Sequence, residues 1–314
     1  MKKIILVLCL LLSLVGCGSS NSTSKRVGVI QLEDHPALNA ATKGFVDVVD
    51  GEFGKGTVDV KLASGDSSTC NILANEFVAD NVDLIMCNAT PALISASKAT
   101  ENIPILGTSV TEYGVALGID GFNGTVGGNI SGTSDLAPLD QQAQMFIDLL
   151  PNAKKIGILY CSSEPNSLYQ VEEVTKYLKN NGLEVIAYSF SETAELSITM
   201  GELFPQIDAL YIPTDNACAK NVDAIRDKLT DFNIPVICGE KSVLDNCNGL
   251  ATLSIDYYEL GKTTGEMAVK ILKGEANISS MPIEYFKNPE RLFIKEVADK
   301  FGVIIPDGFK ESER

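Results

Sequence analysis

The 314-residue chain has one histidine, His35, and four arginines, Arg26, Arg226, Arg291 and Arg314. With a single imidazole and no Gly-x-Ser-x-Gly elbow, no catalytic set assembles, so the expected role is not enzymatic. One histidine and no C-x-x-C pair also leave no metal constellation, and no metal is expected. None of the arginines falls in a predicted ligand loop, which argues against phosphate, sulfonate and polyanionic ligands that recruit guanidinium forks. Positive charge is short overall: 25 Lys and Arg stand against 41 Asp and Glu, a formal net charge of −16. That balance argues against nucleic acid and anionic membrane surfaces as partners. Long apolar runs are missing too, since residues 4–12 fall short of the roughly 20 needed to span a bilayer. What remains is a globular composition, 45% hydrophobic and 21% charged, in a chain long enough for two domains with their own cores.

Residues 1–16 carry Lys2 and Lys3, the short apolar run and then Ser13-Leu-Val-Gly-Cys17, the layout of an export signal. The ending resembles a bacterial lipobox, which implies cleavage before Cys17 and a lipid on its thiol. Residues 17–25 then form a small polar tether, and the protein is expected outside the cytoplasm, lipid-anchored to the cell membrane. Cys70, Cys87, Cys161, Cys218, Cys238 and Cys247 follow. An exported location permits disulfides, with Cys238 and Cys247 able to pair, but buried free thiols are the expectation.

The clearest pattern is a repeat. Residues 82–91, VDLIMCNATP, return as 207–216, IDALYIPTDN. Both read as a short buried strand emptying into a polar loop before a helix. Their neighbours recur in the same order: 26–32 with 155–161, 58–62 with 183–187, and 102–109 with 233–240. Four strands repeated as four predict two lobes of one architecture. Strand and helix alternate throughout, so each lobe is expected to be a parallel sheet flanked by helices. Predicted helices cover 37–49, 72–79, 90–100, 138–150, 166–180, 194–203, 217–230, 256–273 and 290–301. Residues 114–132 read as an irregular crossover between lobes. Three crossings are expected, near 130–136, 252–256 and 281–286, giving lobe 1 as 26–134 plus 256–281 and lobe 2 as 135–255 plus 282–314.

Two motif-like stretches imply no cofactor. Gly124 to Gly132 does not sit between strand and helix at dinucleotide spacing, and Gly261-Lys-Thr-Thr264 lacks the phosphate-loop glycine, having Asp256 there.

Parallel sheets bind ligands at the carboxyl ends of their strands, beside helix N-termini. Two lobes joined by crossings set those edges across a cleft suited to hinge closure. In chain order, Gly28-Val-Ile-Gln31, His35-Pro-Ala-Leu38, Gly65-Asp-Ser-Ser68, Ala89-Thr-Pro-Ala92, Asn129-Ile-Ser-Gly132, Leu150 to Gly157, Ser162-Ser-Glu-Pro-Asn-Ser167, Pro213-Thr-Asp-Asn216 and Asp256 to Gly261 together resemble the ABC-transporter substrate-binding lipoproteins of the aromatic amino-acid type. The resemblance covers 26 to about 306 and implies the type I periplasmic-binding-protein fold, a monomer, and delivery of a small ligand to a permease with its ATPase. Two departures stand out: Val110-Thr-Glu-Tyr113 replaces a Thr-Asp-Pro turn, and Ile294 replaces an asparagine.

The residue types suit an amino-acid zwitterion. Thr90, Ser109 and Thr111, with backbone N–H groups near Asn88, Ala89 and Thr90, are candidates for the carboxylate. Asp215 and Glu240 are candidates for the ammonium, although Asp215 is equally placed to cap the next helix. His35, Ser163, Asn166 and Asn216 complete the expected cleft edge. Tyr113, Tyr160 and Tyr211 are candidate ring walls, the last two also fitting a strand core. A sugar or nucleoside ligand, or a role as sensor or adhesin, are the alternatives.

Overall fold

The computed structural model describes residues 25–313, so the expected export signal and the expected lipid site at Cys17 lie outside the described residues. In chain order the first lobe contains β1 (Val27–Gln31), α1 (Pro36–Phe53), β2 (Val58–Leu62), α2 (Ser67–Ala79), β3 (Leu84–Asn88), α3 (Thr90–Ala99), β4 (Ile105–Val110), α4 (Tyr113–Leu117) and β5 (Ile130–Ser134). The chain then crosses to α5 (Leu139–Leu149), β6 (Lys155–Cys161), α6 (Pro165–Asn180), β7 (Glu184–Phe190), α7 (Thr193–Leu203), β8 (Ala209–Ile212), α8 (Asn216–Lys220), α9 (Val222–Phe232), β9 (Val236–Cys238), α10 (Lys241–Cys247) and β10 (Ala251–Ser254). It returns with α11 (Tyr257–Leu272) and β11 (Glu284–Tyr285), and ends in the second lobe with β12 (Glu290–Phe293), α12 (Lys295–Phe301) and β13 (Phe309–Glu311).

The strand order is β11-β5-β4-β3-β1-β2 in one sheet and β13-β12-β10-β9-β8-β6-β7 in the other. The repeated four strands therefore occupy equivalent places, β4-β3-β1-β2 against β9-β8-β6-β7. Pairing is parallel except between β10 and β12. Strands β1, β3, β4 and β5 are buried along their whole length, because helices cover both faces and leave no side for polar alternation. Edge strand β2 is half exposed.

Helix α11 ties the return crossing to lobe 1 by packing on α1 backbone to backbone. A Cβ on Gly261 would lie 1.9 Å from the Ala41 carbonyl oxygen, so only glycine permits that approach. The Gly261-Lys-Thr-Thr264 stretch is thus the interior of a packed helix.

Three local expectations change. The helix predicted over 290–301 begins only at Lys295; residues 290–293 are instead β12, because β10 offers an open edge and buries Leu292 across it. The helix predicted over 217–230 is two helices broken at Asn221, whose amide nitrogen bonds the Ala217 carbonyl oxygen at 2.8 Å. Residues 114–132 are not the crossover: they hold most of α4 and enter β5, and the chain leaves the first sheet after Ser134. At the Ile294 departure, a side chain buried in the lobe 2 core precedes α12 without a capping hydrogen bond.

The six cysteines of the described residues are buried free thiols. Cys238 and Cys247 are neighbours, sulfur to sulfur 3.7 Å.

Candidate functional site

The carboxyl ends of the two sheets face each other. Between them lies a cavity of about 10 Å³ lined by His35, Leu38, Ser109, Thr111 and Asp135 on one side and by Asn166, Thr214, Asp215, Asn216 and Glu240 on the other, with Ala37, Ala219 and Tyr257. That is room for about one water molecule. The lobes touch here directly: His35 Nε2 meets Asn216 Oδ1 at 3.2 Å, and Lys220 Nζ meets Glu33 Oε1 at 3.1 Å.

Backbone geometry at the edge is unusual. Ala89, between β3 and α3, has φ 95° and ψ 157°, a region almost reserved for glycine that costs about 1–3 kcal/mol. Ser109 has φ 52°, where the β4–β5 register shifts between Gly107 and Val110.

The polar inventory is equally unusual. Buried side-chain atoms normally find partners. Among the described residues those without one include His35 Nδ1, Asn88 Oδ1, Thr90 Oγ1, Ser109 Oγ, Asp135 Oδ1 and Asn166 Oδ1. All six lie at strand ends, in the loops after them or in the first turn of the following helix, and four of these residues line the cavity.

The cavity wall includes the carboxylates of Asp135, Asp215 and Glu240 and no lysine or arginine. Asp135 is the acid left open. It lies just past β5, Tyr257 OH donates to its Oδ2 at 3.0 Å, and Oδ1 is free. Burial pushes its carboxyl up to about 6, only partly offset by the nearby hydroxyls of Tyr257 and Thr111. Asp215 differs. Its Oδ2 accepts from Cys161 N and Ser167 Oγ, each at 2.7 Å, and its Oδ1 caps α8 through Cys218 N at 2.8 Å. Glu240 caps α10 through Ser242 N and accepts from the Ser242 hydroxyl. Behind the wall Glu164 is buried, and desolvation with the neighbouring Asp215 pushes its carboxyl up.

Of the residues singled out from the sequence, His35, Ser109, Thr111, Asn166, Asp215, Asn216 and Glu240 come together at the cavity. Asn88, Ala89 and Thr90 lie behind it. Asn88 Nδ2 is spent on the Leu38 carbonyl oxygen and on Thr42. Ser163 is exposed and bonds Cys161 Sγ at 3.0 Å, away from the cavity. Tyr113 is a core residue of lobe 1, with its hydroxyl bonding the Thr133 carbonyl oxygen at 3.0 Å; the space left by Gly107 and Gly132 receives its hydroxyl end. Tyr211 is likewise core, its hydroxyl donating to Gln142, and Tyr160 packs on the lobe 2 core. Thr214 and Glu164 fall in strand-end loops expected at the cleft edge, whereas Asp135 and Tyr257 were missed. Asp135 sat in a stretch read as a crossover and Tyr257 in a helix start. The one available signal was that an acid and an aromatic each fall at a crossing.

Two repeated parallel-sheet lobes closing strand ends over a polar cavity define a type I periplasmic-binding-protein architecture, a scaffold for small solutes. The family model "ABC transporter substrate binding protein" matches residues 26–312, and the chain belongs to that family. It is 34% identical over 269 residues to a tyrosine-binding protein of Clostridioides difficile, covering 84% of this chain and 77% of that one. Among solved structures it is similar to a Streptococcus pneumoniae ABC domain in complex with L-Trp, at 32% identity and TM-score 0.84, covering 90% of this chain and 96% of that one. It is also similar to the ligand-free, open structure of a Clostridium difficile substrate-binding protein with adhesive properties, at 34% identity and TM-score 0.69, covering 92% and 99%.

Proposed function

We propose that the protein is the extracytoplasmic solute-binding lipoprotein of an ABC importer and captures an aromatic amino acid between its lobes by hinge closure. The observation that carries this is the group of buried, unpartnered polar atoms at the cleft, facing a wall that holds acids but no lysine or arginine. A zwitterion answers both needs: its ammonium meets Asp135, and its carboxylate meets hydroxyls such as Ser109 and Thr111. Leu38, Ala219 and Tyr257 supply the apolar surface for a ring. The relatives that bind tyrosine and L-Trp support the ligand class.

Closure is supported by geometry. A cavity of about 10 Å³ is far below the roughly 300 Å³ and upward of small-molecule sites, so a ligand enters only when the lobes part. The chain also superposes better on the complex with L-Trp than on the open relative, although identity is similar. In this reading the lobes are those expected from the sequence, except that the last crossing comes after β11, which pairs with β5 in the first sheet, and the protein works as a monomer that hands its ligand to a permease and its ATPase. Residues 1–16 direct export and Cys17 carries the lipid.

The test is a thermal-shift screen of the refolded protein against the twenty amino acids, sugars and nucleosides. A ligand at about a hundred times its Kd adds roughly 2.7 kcal/mol. Stabilisation by tyrosine, tryptophan or phenylalanine is expected; a response to a sugar or nucleoside alone would overturn the ligand class. Cys17→Ser is expected to release the protein from membranes, and lipid labelling that survives the change would overturn the anchor. The adhesive relative favours a second role at the cell surface, tested by whether loss of the protein lowers attachment to host cells.

A further inference from the structure

Across the cleft runs a chain of three side chains whose donors and acceptors fix one another. It starts at Glu164, buried at the N-terminus of α6. Its Oε1 accepts from Ala217 N at 2.9 Å; its Oε2 accepts from Asn216 N at 3.1 Å, Asn166 Nδ2 at 3.2 Å and Asn216 Nδ2 at 2.5 Å. Four N–H donors hold this group as a pure acceptor. The orientation of the Asn216 amide follows, because its NH₂ must face the carboxylate; the reversed amide would set oxygen against oxygen. Asn216 Oδ1 is therefore turned toward the other lobe, where it meets His35 Nε2 at 3.2 Å. A carbonyl oxygen only accepts, so Nε2 must carry the proton. In the neutral ring Nδ1 then has a lone pair and no proton. That Nδ1 is buried, has no partner, and belongs to a residue of the cavity wall.

Resting on the aromatic amino-acid reading above, we propose that Glu164 and Asn216 form an interlobe latch that locks His35 in its Nε2–H tautomer, making Nδ1 an acceptor for an N–H donor of the ligand, its ammonium. His35 is then a specificity-determining residue, and Glu164, which does not touch the ligand, positions it. The latch draws on both lobes: His35 opens α1 in lobe 1, while Asn216 and Glu164 belong to lobe 2. It forms only on closure, and so couples the lobes' approach to the histidine's readiness to receive a donor. A sugar or nucleoside brings hydroxyls that both donate and accept, and would gain nothing from a ring fixed in one sense.

The chain's single histidine makes the test direct. Protein made without a histidine tag and labelled with ¹⁵N gives two ring-nitrogen signals. Stabilisation by L-tyrosine and L-tryptophan is measured on the same samples. In the parent with L-tyrosine, a protonated Nε2 and an unprotonated Nδ1 shifted by the amino acid are expected. Glu164→Gln, which can present either its oxygen or its NH₂ to Asn216, is expected to give a mixture of ring tautomers. It is also expected to weaken L-tyrosine binding by about ten-fold, the loss of one net hydrogen bond. Thermal melting of Glu164→Gln, with Glu164→Asp as the variant that keeps the charge and restores a single tautomer, separates this from general damage. A parent stabilised by L-tyrosine but protonated at Nδ1, or a Glu164→Gln ring spectrum identical to the parent's, would overturn the latch and leave the proposed function standing. A parent that neither amino acid stabilises would overturn the ligand class on which the latch depends.

Discussion

Asp135→Asn tests the site most sharply. Asp135 is 4% exposed, with one oxygen held by Tyr257 and the other free. Raising its carboxyl from 3.8 to about 6 means that keeping it ionised near neutral pH costs the closed form about 3 kcal/mol. The sign follows from proton binding. The closed form holds this proton more tightly than the unfolded chain, so the group's contribution to stability is full below about pH 4 and is lost as pH rises to about 6. An ammonium brought to Oδ1 reverses that cost by favouring the ionised form. Asparagine keeps the shape and gives up the charge. Isothermal titration with L-tyrosine near neutral pH is therefore expected to show affinity about ten- to a hundred-fold weaker in D135N, a charge-assisted hydrogen bond being worth about 1.5–3 kcal/mol. The parent's affinity should be level above about pH 7 and fall as pH drops through about 6, with a shallower fall in D135N, since protonation of Asp135 removes the charge the ammonium needs. Affinity in D135N within about two-fold of the parent, or parent affinity that improves on acidification, would refute the role given to Asp135.

Three further outcomes follow from the same geometry. Asp215→Ala strands the Cys161 and Cys218 amides and the Ser167 hydroxyl, and urea unfolding should show a loss of at least about 2 kcal/mol, since each stranded buried donor costs about 1–3; unchanged stability would show that water replaces the carboxylate. Ala89→Gly relieves a backbone at φ 95° worth about 1–3 kcal/mol against about 0.5–1 of added chain entropy, so the melting point should rise; a fall would mean that the Ala89 methyl packs for more than the strain it bears. Gly261→Ala drives a methyl into the Ala41 carbonyl oxygen and should cost about 2–3 kcal/mol by overpacking, with circular dichroism melts as the readout; a shift near zero would show that α1 and α11 slide apart freely.

The sequence by itself determined the two-lobe architecture, because the repeated apolar runs of 82–91 and 207–216 and their neighbours are dictated by burial, and burial in a parallel sheet leaves a local signature. It also placed His35, Asn166, Asn216 and Glu240 at the cleft, since strand ends that face a partner lobe follow from topology alone. Tertiary structure decided what was not local. Residues 290–293 are a strand because β10 had an open edge, and pairing with a distant neighbour outweighs intrinsic preference. Tyr113 went into the core because Gly107 and Gly132, each on a different strand, leave the space its hydroxyl end fills. The division of labour among the acids came from the same source. Asp215 and Asp135 are both aspartates just past a strand, and no local pattern separates them. One is saturated by three donors, two from neighbouring segments and one from its own helix; the other takes the Tyr257 phenol on one oxygen and leaves the second unpartnered at the cavity. A carboxylate's role depends on which groups reach it, and those groups are brought from far along the chain only when the lobes have folded and met.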